Sequence, residues 1–295
     1  MEIRDLRVYI AVVEAQGFTA AAHRLHMVQS SVSDVVARLE RELGITLLER
    51  RGGTRPTAAG EALLRWARLL ANCSERAVRE VGSFQMLEPT SMRVGMLPTI
   101  TPLVLPGFLG SLRVRYPRLS VTVQEALAPE LLERVRLAEL DVAVVFFPVE
   151  AVPDIVLIPV AARPLRVMVN ASHPFGGRRT VGLAELADDG WVTYPAGNPG
   201  RLWLEEACRM ADFAPRVTAE VETPTQQRIF VEAGAGIAMV PLLGPPNTPN
   251  GAPSATLDLE PPLPQFRIGY AYAAQFVDPA VTAAGAALDA VLAHL

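Results

Sequence analysis

The sequence contains no lysine, only two cysteines and no long apolar run. Its 27 basic residues are all Arg, and the 31 acidic residues bring the net charge to −4. A molecule of this charge carries no strong positive field, so any nucleic-acid site must be a local patch. No apolar run approaches the roughly 20 residues that a membrane-spanning helix needs. We therefore expect no contact with a membrane.

The two cysteines and four histidines form no recognisable site. Cys73 and Cys208 lie far apart, which excludes a disulfide framework and favours reduced thiols. A single cysteine in the C-terminal part also argues against a dithiol peroxide sensor there. No metal-ligand spacing, nucleophile–base pair or phosphate-binding glycine loop is recognisable. We predict no metal, no cofactor and no enzymatic activity. Because the N-terminus lacks the pattern of a signal peptide, we expect a cytoplasmic protein.

The first 45 residues have the apolar spacing of three short helices. The first helix is predicted over residues 3–15. Thr19 is predicted to cap the second helix, and residues 26–28 form the turn that follows it. The third helix is predicted over 29–43, with Gly44 as its C-terminal stop.

The third predicted helix has one apolar face and one face of short polar side chains. The polar face and the helix N-terminus carry Gln29, Ser30, Ser31, Ser33 and Asp34. A helix in the major groove needs short side chains and hydrogen-bonding groups near its N-terminus, where free N–H groups attract phosphate. The alternative is an ordinary solvated face, on which Glu and Lys are more usual. We predict that this face binds DNA.

Three arginines surround the pair Gly52-Gly53 directly after the third helix. Arg50, Arg51 and Arg55 make this segment a cationic hairpin, suited to a phosphate ridge or a narrow minor groove. We place the DNA-binding domain at residues 1–58. Glycine pairs are common in turns, so the position after helix three carries this prediction.

Residues 59–88 are predicted to form one long helix. Its apolar positions step by three and four: Ala59, Leu63, Trp66, Leu70, Cys73, Ala77, Val81 and Phe84. Such a stripe is typical of a coiled-coil seam and favours a dimer, which would place two recognition helices about one DNA turn apart. The alternative is a helix that packs on its own domain. Pro89 then ends the helix and marks a hinge.

The remaining residues, 89–295, alternate between strand and helix patterns. Strands are predicted at 92–96, 121–125, 142–147, 165–170, 191–194, 217–221, 237–240 and 267–273. Helices are predicted at 101–115, 129–138, 202–211, 225–233 and 279–294. This alternation indicates an α/β domain with a sheet rich in parallel pairs.

Residues 21–50 and 57–67 closely resemble the winged helix-turn-helix and linker helix of LysR-type transcriptional regulators. The resemblance covers essentially the whole chain. It implies an N-terminal domain that is mainly α-helical and a C-terminal α/β domain like a periplasmic binding protein. That domain would have two subdomains, at about 92–161 with 269–295 and at 162–268. In the family, residues aligned with Gln29, Ser30 and Ser33 contact DNA, and the arginine aligned with Arg55 approaches the minor groove.

Three features depart from the family pattern. The wing is about one residue short, residues 35–37 carry no base, and Asp34 is an acid on the outward face. An acid there repels phosphate. It can instead accept a hydrogen bond from a cytosine amino group, or pair with Arg38 four residues on.

The resemblance also predicts a ligand cleft, because folds of this kind bind small molecules at the carboxyl ends of their strands. The candidate cleft residues are Thr99, Ile100, Thr101, Phe146, Thr193, Tyr194, Asn198, Thr223 and Gly236. Threonine hydroxyls and free N–H groups near residue 99 would suit a carboxylate. Each Thr or Asn can equally be an ordinary cap, and Phe146 can belong to the core.

The sequence therefore predicts a transcriptional regulator that binds double-stranded promoter DNA and responds to a small organic effector. The resemblance implies a dimer of dimers and is compatible with a contact to RNA polymerase. The alternatives are a solute-binding protein or an enzyme on the same C-terminal fold. The N-terminal helix-turn-helix and the absence of a signal-peptide pattern argue against the first.

Overall fold

The computed structural model describes residues 1–49, 54–86, 89–147, 149, 151–241 and 253–294. The N-terminal domain contains the helices α1 (Ile3–Glu14), α2 (Phe18–Leu25) and α3 (Gln29–Leu43) and the antiparallel strands β1 (Leu48–Glu49) and β2 (Arg55–Pro56). One face of each helix is apolar, and the three faces meet in a core around Tyr9, Val12 and Val36, which are all fully buried.

Helix α2 begins differently from the prediction. Gly17 is its N-cap residue and no side chain caps it, so Thr19 lies inside the first turn. The turn before α3 is as predicted: His26 adopts a left-handed conformation, and the N–H of Met27 donates to the carbonyl of Ala22.

Helix α4 (Ala58–Met86) leaves the N-terminal domain as a single rod of 29 residues. The Thr57 hydroxyl accepts the N–H of Gly60 at 3.0 Å and so caps its first turn. A Cβ at Gly60 would lie 2.1 Å from the carbonyl oxygen of Leu47. Only glycine therefore lets the helix start this close to the wing.

The first C-terminal sheet has the strand order β4-β3-β5-β13-β6. Its strands are β3 (Ser91–Met96), β4 (Ser120–Glu125), β5 (Val142–Phe147), β6 (Ile155–Arg163) and β13 (Phe266–Ala273). Strands β3, β4 and β5 are parallel, and β13 is antiparallel to both β5 and β6. The helices of this subdomain are α5 (Thr101–Arg115), α6 (Ala128–Arg136) and α9 (Pro279–Ala293).

The second C-terminal sheet lies between the two crossings of the chain. It contains β7 (Leu165–Asn170), β8 (Thr180–Val181), β9 (Gly190–Thr193), β10 (Arg216–Glu220), β11 (Ala238–Pro241) and β12 (Ser254–Leu259). Strands β11, β7, β12 and β8 are paired in that order, and a bridge between Trp191 and Ile237 joins the parallel pair β9–β10 to them. Its helices are α7 (Pro199–Met210) and α8 (Pro224–Glu232), with a short 3-10 turn at Leu183–Leu186.

Strands β6 and β12 were absent from the sequence prediction. Pro159 interrupts the pattern of β6, and proline is accommodated because β6 is an edge strand. Its partner β13 approaches so closely that a Cβ at Gly269 would lie 2.0 Å from the Ile158 carbonyl oxygen. The chain therefore crosses between the subdomains at 163–165 and 259–266, a few residues from the predicted positions. No helix in the described ranges is both long and apolar enough to cross a membrane.

Candidate nucleic-acid interface and ligand cleft

Helix α3 presents the predicted polar face to solvent. Gln29, Ser30 and Asp34 are exposed, while Ser31 and Ser33 are half-buried. The opposite side of the helix, with Val32, Val36 and Leu39, is fully buried against α1 and α2. The apolar side holds α3 in place, so its short polar side chains are free to meet a groove.

The N-terminus of α3 is open. Val28 is its N-cap residue, and the Val28 side chain accepts no hydrogen bond from the first turn. The N–H groups of Gln29, Ser30 and Ser31 therefore point out of the helix at its positive end. Such an end is suited to a phosphate oxygen.

Asp34 does not form the intrahelical pair that the sequence offered as one alternative. Arg38 instead contacts the buried carboxylate of Asp5 on α1, and within the described ranges no ion pair joins it to Asp34. Arg38 therefore fastens α3 to α1, and the Asp34 carboxylate is left facing solvent.

The wing is anchored to α3 by a carboxylate. Glu40 Oε1 accepts the backbone N–H groups of Leu47 and Leu48, at 2.8 Å and 3.3 Å. Arg55 is exposed on β2, in register with Glu49 on β1. Arg50 and Arg51 lie outside the described residues.

A cleft opens at the carboxyl ends of β3, β5 and β9, between the two subdomains. It has about 580 Å³ of empty space, including its opening to solvent. Its walls are formed by Leu97, Pro98, Thr99, Leu127, Phe146, Tyr194, Asn198, Pro199, Gly200, Trp203, Glu222, Met239 and Pro241. Four of the predicted effector residues line it: Thr99, Phe146, Tyr194 and Asn198.

Aromatic rings form one wall of the cleft. The Phe146 ring meets Trp203 edge to face, with centroids 5.1 Å apart, and Trp203 stacks on Phe266 at 5.4 Å. Phe146 and Phe266 belong to the first sheet and Trp203 to α7, so the cluster bridges the subdomains. Tyr194 is buried beside it, and burial raises the pKa of its hydroxyl, which donates to Gln227 Oε1 at 3.2 Å.

Five predicted effector residues do not line the cleft. Ile100 is fully buried in the core, and the Thr101 hydroxyl donates to the Leu97 carbonyl within its own turn. Thr193 is buried in β9. The Thr223 hydroxyl caps α8 by accepting the N–H of Gln226. These residues have ordinary structural roles.

Gly236 lies at the opposite end of β9. A Cβ there would lie 2.4 Å from the Gly190 carbonyl oxygen, and its φ is +155°. Glycine is therefore required for close backbone packing at this position.

The sequence placed Glu222, beside Thr223, among the candidate cleft residues, and Glu222 lines the cleft; it missed Trp203. The predicted helix began at residue 202, whereas α7 begins at Pro199 with Asn198 as its cap. Asn followed by Pro is a usual helix start, so this signal was present. An earlier start would have placed Trp203 one turn into the helix, beside the cleft.

Two family models together match nearly the whole chain. Residues 3–61 match the bacterial regulatory helix-turn-helix protein, lysR family, and residues 88–293 match the LysR substrate binding domain. The chain belongs to the LysR family of bacterial transcriptional regulators. It is thus a DNA-binding transcriptional regulator, as the sequence predicted.

Known relatives support this family assignment, and a solved structure has the same fold. The chain is 34% identical to the HTH-type transcriptional regulator ShiR of Corynebacterium glutamicum, over 84% of this chain and 86% of that protein. It is 31% identical to a probable hydrogen peroxide-inducible genes activator of Mycobacterium leprae, over 92% of this chain and 87% of that protein. The fold is that of full-length CbnR in complex with its target DNA. The TM-score is 0.75 at 24% identity, and the match covers 99% of this chain and 100% of that one.

In this LysR-family protein, a polar face of α4 holds the loop 137–141 that precedes β5. Arg68 Nε lies 4.0 Å from Glu139, and Asn72 donates to the Leu137 carbonyl at 2.9 Å. Burial raises the pKa of Glu139 more than Arg68 lowers it. The spacing of Arg68, Asn72 and Arg76 follows one side of the helix.

The centre of this contact is a buried ion cluster. Arg76 is only 4% exposed and contacts Asp141 at 3.0 Å and Asp278 at 2.6 Å. Asp278 also caps α9. Asp141 also forms an ion pair with a second arginine, Arg79, at 3.2 Å. It accepts a hydrogen bond from the backbone N–H of Arg93 at 2.7 Å. One α4 side chain thus ties together the start of β5 and the start of α9.

Proposed function

We propose that this regulator reads promoter DNA with α3 and the wing, and that a small effector in the cleft changes this binding. The observation that carries the proposal is that one chain combines an open, polar recognition helix with an apolar cleft between two subdomains. A DNA-reading surface and a ligand cleft in one chain favour regulation.

The proposed DNA contacts divide by chemistry. Gln29, Ser30 and Ser33 would reach base edges, with Ser31 at the helix end, because hydrogen-bonding side chains near a recognition-helix N-terminus read the major groove. The exposed carboxylate of Asp34 would accept from a cytosine amino group. Arg55, with Arg50 and Arg51, would contact phosphates.

The regulator would act as a dimer joined through α4. Trp66, Leu70 and Val81 are 63%, 43% and 67% exposed. They continue the predicted stripe on the side of α4 away from the ion cluster. Exposed apolar rows of this length are usually covered by a partner. Association of such dimers into a tetramer fits this family and is part of the proposal.

The effector signal would travel along β5. This strand starts beside Asp141 in the ion cluster, and Phe146, one residue before its end, lies in the cleft wall. A ligand that moves Phe146 and Trp203 would therefore displace loop 137–141 against α4. Arg68 extends the path, because it also contacts Glu14 of α1 at 3.3 Å. A shift of subunit geometry of this kind would alter occupancy of bent DNA.

Thiol sensing of peroxide is not part of the proposal, although several relatives are named for peroxide. Cys208 is fully buried, and burial raises the pKa of its thiol to about 12. A reactive cysteine needs exposure and a lowered pKa. Cys73, the other cysteine, lies on α4, and burial raises its pKa as well.

A footprint on the DNA upstream of the chain's own gene tests the proposal. The wild type should protect a site with two-fold symmetry, and Gln29→Ala should relax the preference at one base pair of each half-site. Ser74→Ala, on α4, is the matched control and should leave the preference unchanged. Turnover of a small molecule without any footprint would favour the enzyme alternative and contradict the proposal.

A further inference from the structure

The cleft lacks the groups that hold an anion. Among the described residues its lining contains no Arg, Lys or His, and the one charged side chain there is the carboxylate of Glu222. The neighbouring segment 242–252 also contains no basic residue in its sequence. A carboxylate buried among Leu97, Trp203 and Met239 without a cation would lose its hydration with little in return.

Helix N-termini could replace a cation, but at the three that begin at the cleft several first-turn N–H groups are missing or already bonded. Each has a proline in its first turn, Pro102 in α5, Pro199 in α7 and Pro224 in α8, and proline has no N–H. Several other N–H groups at these helix starts donate to acceptors within the protein.

The acceptors of these N–H groups lie a few residues away in the sequence. Asn198 Oδ1 accepts the N–H of Gly200 at 2.9 Å. The Thr223 hydroxyl accepts the N–H of Gln226 at 3.2 Å. The N–H groups of Ile100 and Thr101 both donate to the Leu97 carbonyl. These groups would have to break a hydrogen bond before they could bind a carboxylate.

Glu222 and the aromatic wall suit the opposite charge. Within the described part of the chain the exposed Glu222 carboxylate forms no ion pair, and its backbone N–H donates to Gln226. The rings of Phe146 and Trp203 line the same space. Aromatic faces attract ammonium groups, and a nearby carboxylate adds to this attraction.

We propose that the effector is an amine: a small molecule with an aromatic-sized apolar body and an ammonium group that faces Glu222. The body would pack on Trp203 and Met239, and the Thr99 hydroxyl would accept or donate one further hydrogen bond. This inference rests on the proposed effector function of the cleft and replaces the carboxylate expected from the sequence.

A matched set of three probes tests it on the full chain: phenethylamine, 2-phenylethanol and phenylacetate. Binding is measured by thermal shift and by the fluorescence of Trp203, with Trp203→Phe identifying its contribution. Phenethylamine should bind at least about fivefold more tightly than the alcohol, and phenylacetate should bind most weakly. Glu222→Gln should remove the advantage of the amine over the alcohol. Glu205→Gln, on the outer side of α7, is the control and should keep it.

Equal binding of the amine and the acid, tighter binding of the acid, or no binding by any probe would overturn the amine assignment. The effector function has its own readout, the footprint with and without the bound probe. If phenethylamine binds as expected and the footprint does not change, the ligand class stands and the proposed regulation fails. If the footprint changes with phenylacetate alone, regulation stands and the ligand class fails.

Discussion

Several charged residues of the N-terminal domain hold the domain together. Asp5 is paired with Arg38, Glu14 with Arg24, and Glu40 with the wing backbone. Arg55 makes no such bond within the described ranges and is exposed. Affinity for DNA should therefore depend on the wing, while α3 supplies selectivity.

Arg55→Ala should weaken binding to all DNA sequences by a similar factor and reduce the salt slope of the binding constant by about one. The physical reason is that a phosphate contact releases one counterion and reads no base. Titrations at several salt concentrations measure it. Arg209→Ala, on the far side of α7, serves as the control. An unchanged slope would remove Arg55 from the phosphate contacts.

The hydroxyl of Tyr9 is a buried polar group. The ring of Tyr9 is fully buried, its hydroxyl has no hydrogen-bond partner among the described residues, and burial raises its pKa to about 12. Tyr9→Phe removes the unsatisfied hydroxyl and keeps the packing. The free energy of unfolding should rise by about 1 kcal/mol, measured by urea denaturation. A loss of stability of similar size would mean that the hydroxyl is bonded.

At the scale of elements, α4 has two faces of different chemistry. One face, with Arg68, Asn72 and Arg76, contacts the C-terminal domain. The other exposes Trp66, Leu70 and Val81 to solvent. The apolar periodicity predicted the second face. The first is built from polar residues, which periodicity treats as surface.

Leu70→Glu should separate the dimer. A carboxylate in a helix–helix seam is desolvated without a partner, so the dimer dissociation constant should increase about tenfold or more. Analytical ultracentrifugation measures it. Met210→Glu, at a residue 54% exposed on α7, is the matched control. A monomer–dimer equilibrium that is the same for both variants would place the interface elsewhere.

At the scale of the whole molecule, the ion cluster around Arg76 decides how α4 sits on the C-terminal domain. Removing one partner of a buried ion pair is costly, because the other charges stay buried. Arg76→Met leaves Asp141 and Asp278 without it and should lower the free energy of unfolding by about 3 kcal/mol. Arg209→Met breaks an exposed pair with Glu206 and should cost less than about 1 kcal/mol.

Small-angle scattering gives a second readout of the same variant. If Arg76 holds α4 against the C-terminal domain, Arg76→Met should increase the radius of gyration of the folded protein, and Arg209→Met should not. Identical stability and dimensions for both variants would show that the cluster does not hold α4. The coupling path along β5 would then lose its anchor.

Local patterns predicted many elements with correct bounds. Thr101–Arg115, Val142–Phe147 and Leu165–Asn170 start and end where the sequence placed them. The edge strand β6 was missed because Pro159 resembles a break, and proline at an edge becomes acceptable only once the neighbouring strand is known. The Asp34–Arg38 pair was one of the alternatives because these residues are four apart on one helix. Spacing along a single helix does not show that Asp5, on another helix, contacts Arg38 instead.

The sequence by itself determined the DNA-binding class, because a recognition helix is set by the order of residues within a few turns. The tertiary structure decided the chemistry of the cleft. Its walls come from segments near residues 98, 146, 199, 222 and 240, which lie far apart in the sequence and meet only in the folded chain. Strand pairing between distant segments leaves no local pattern. The sequence therefore suggested a carboxylate near residue 99, whereas the assembled walls offer rings and one acid.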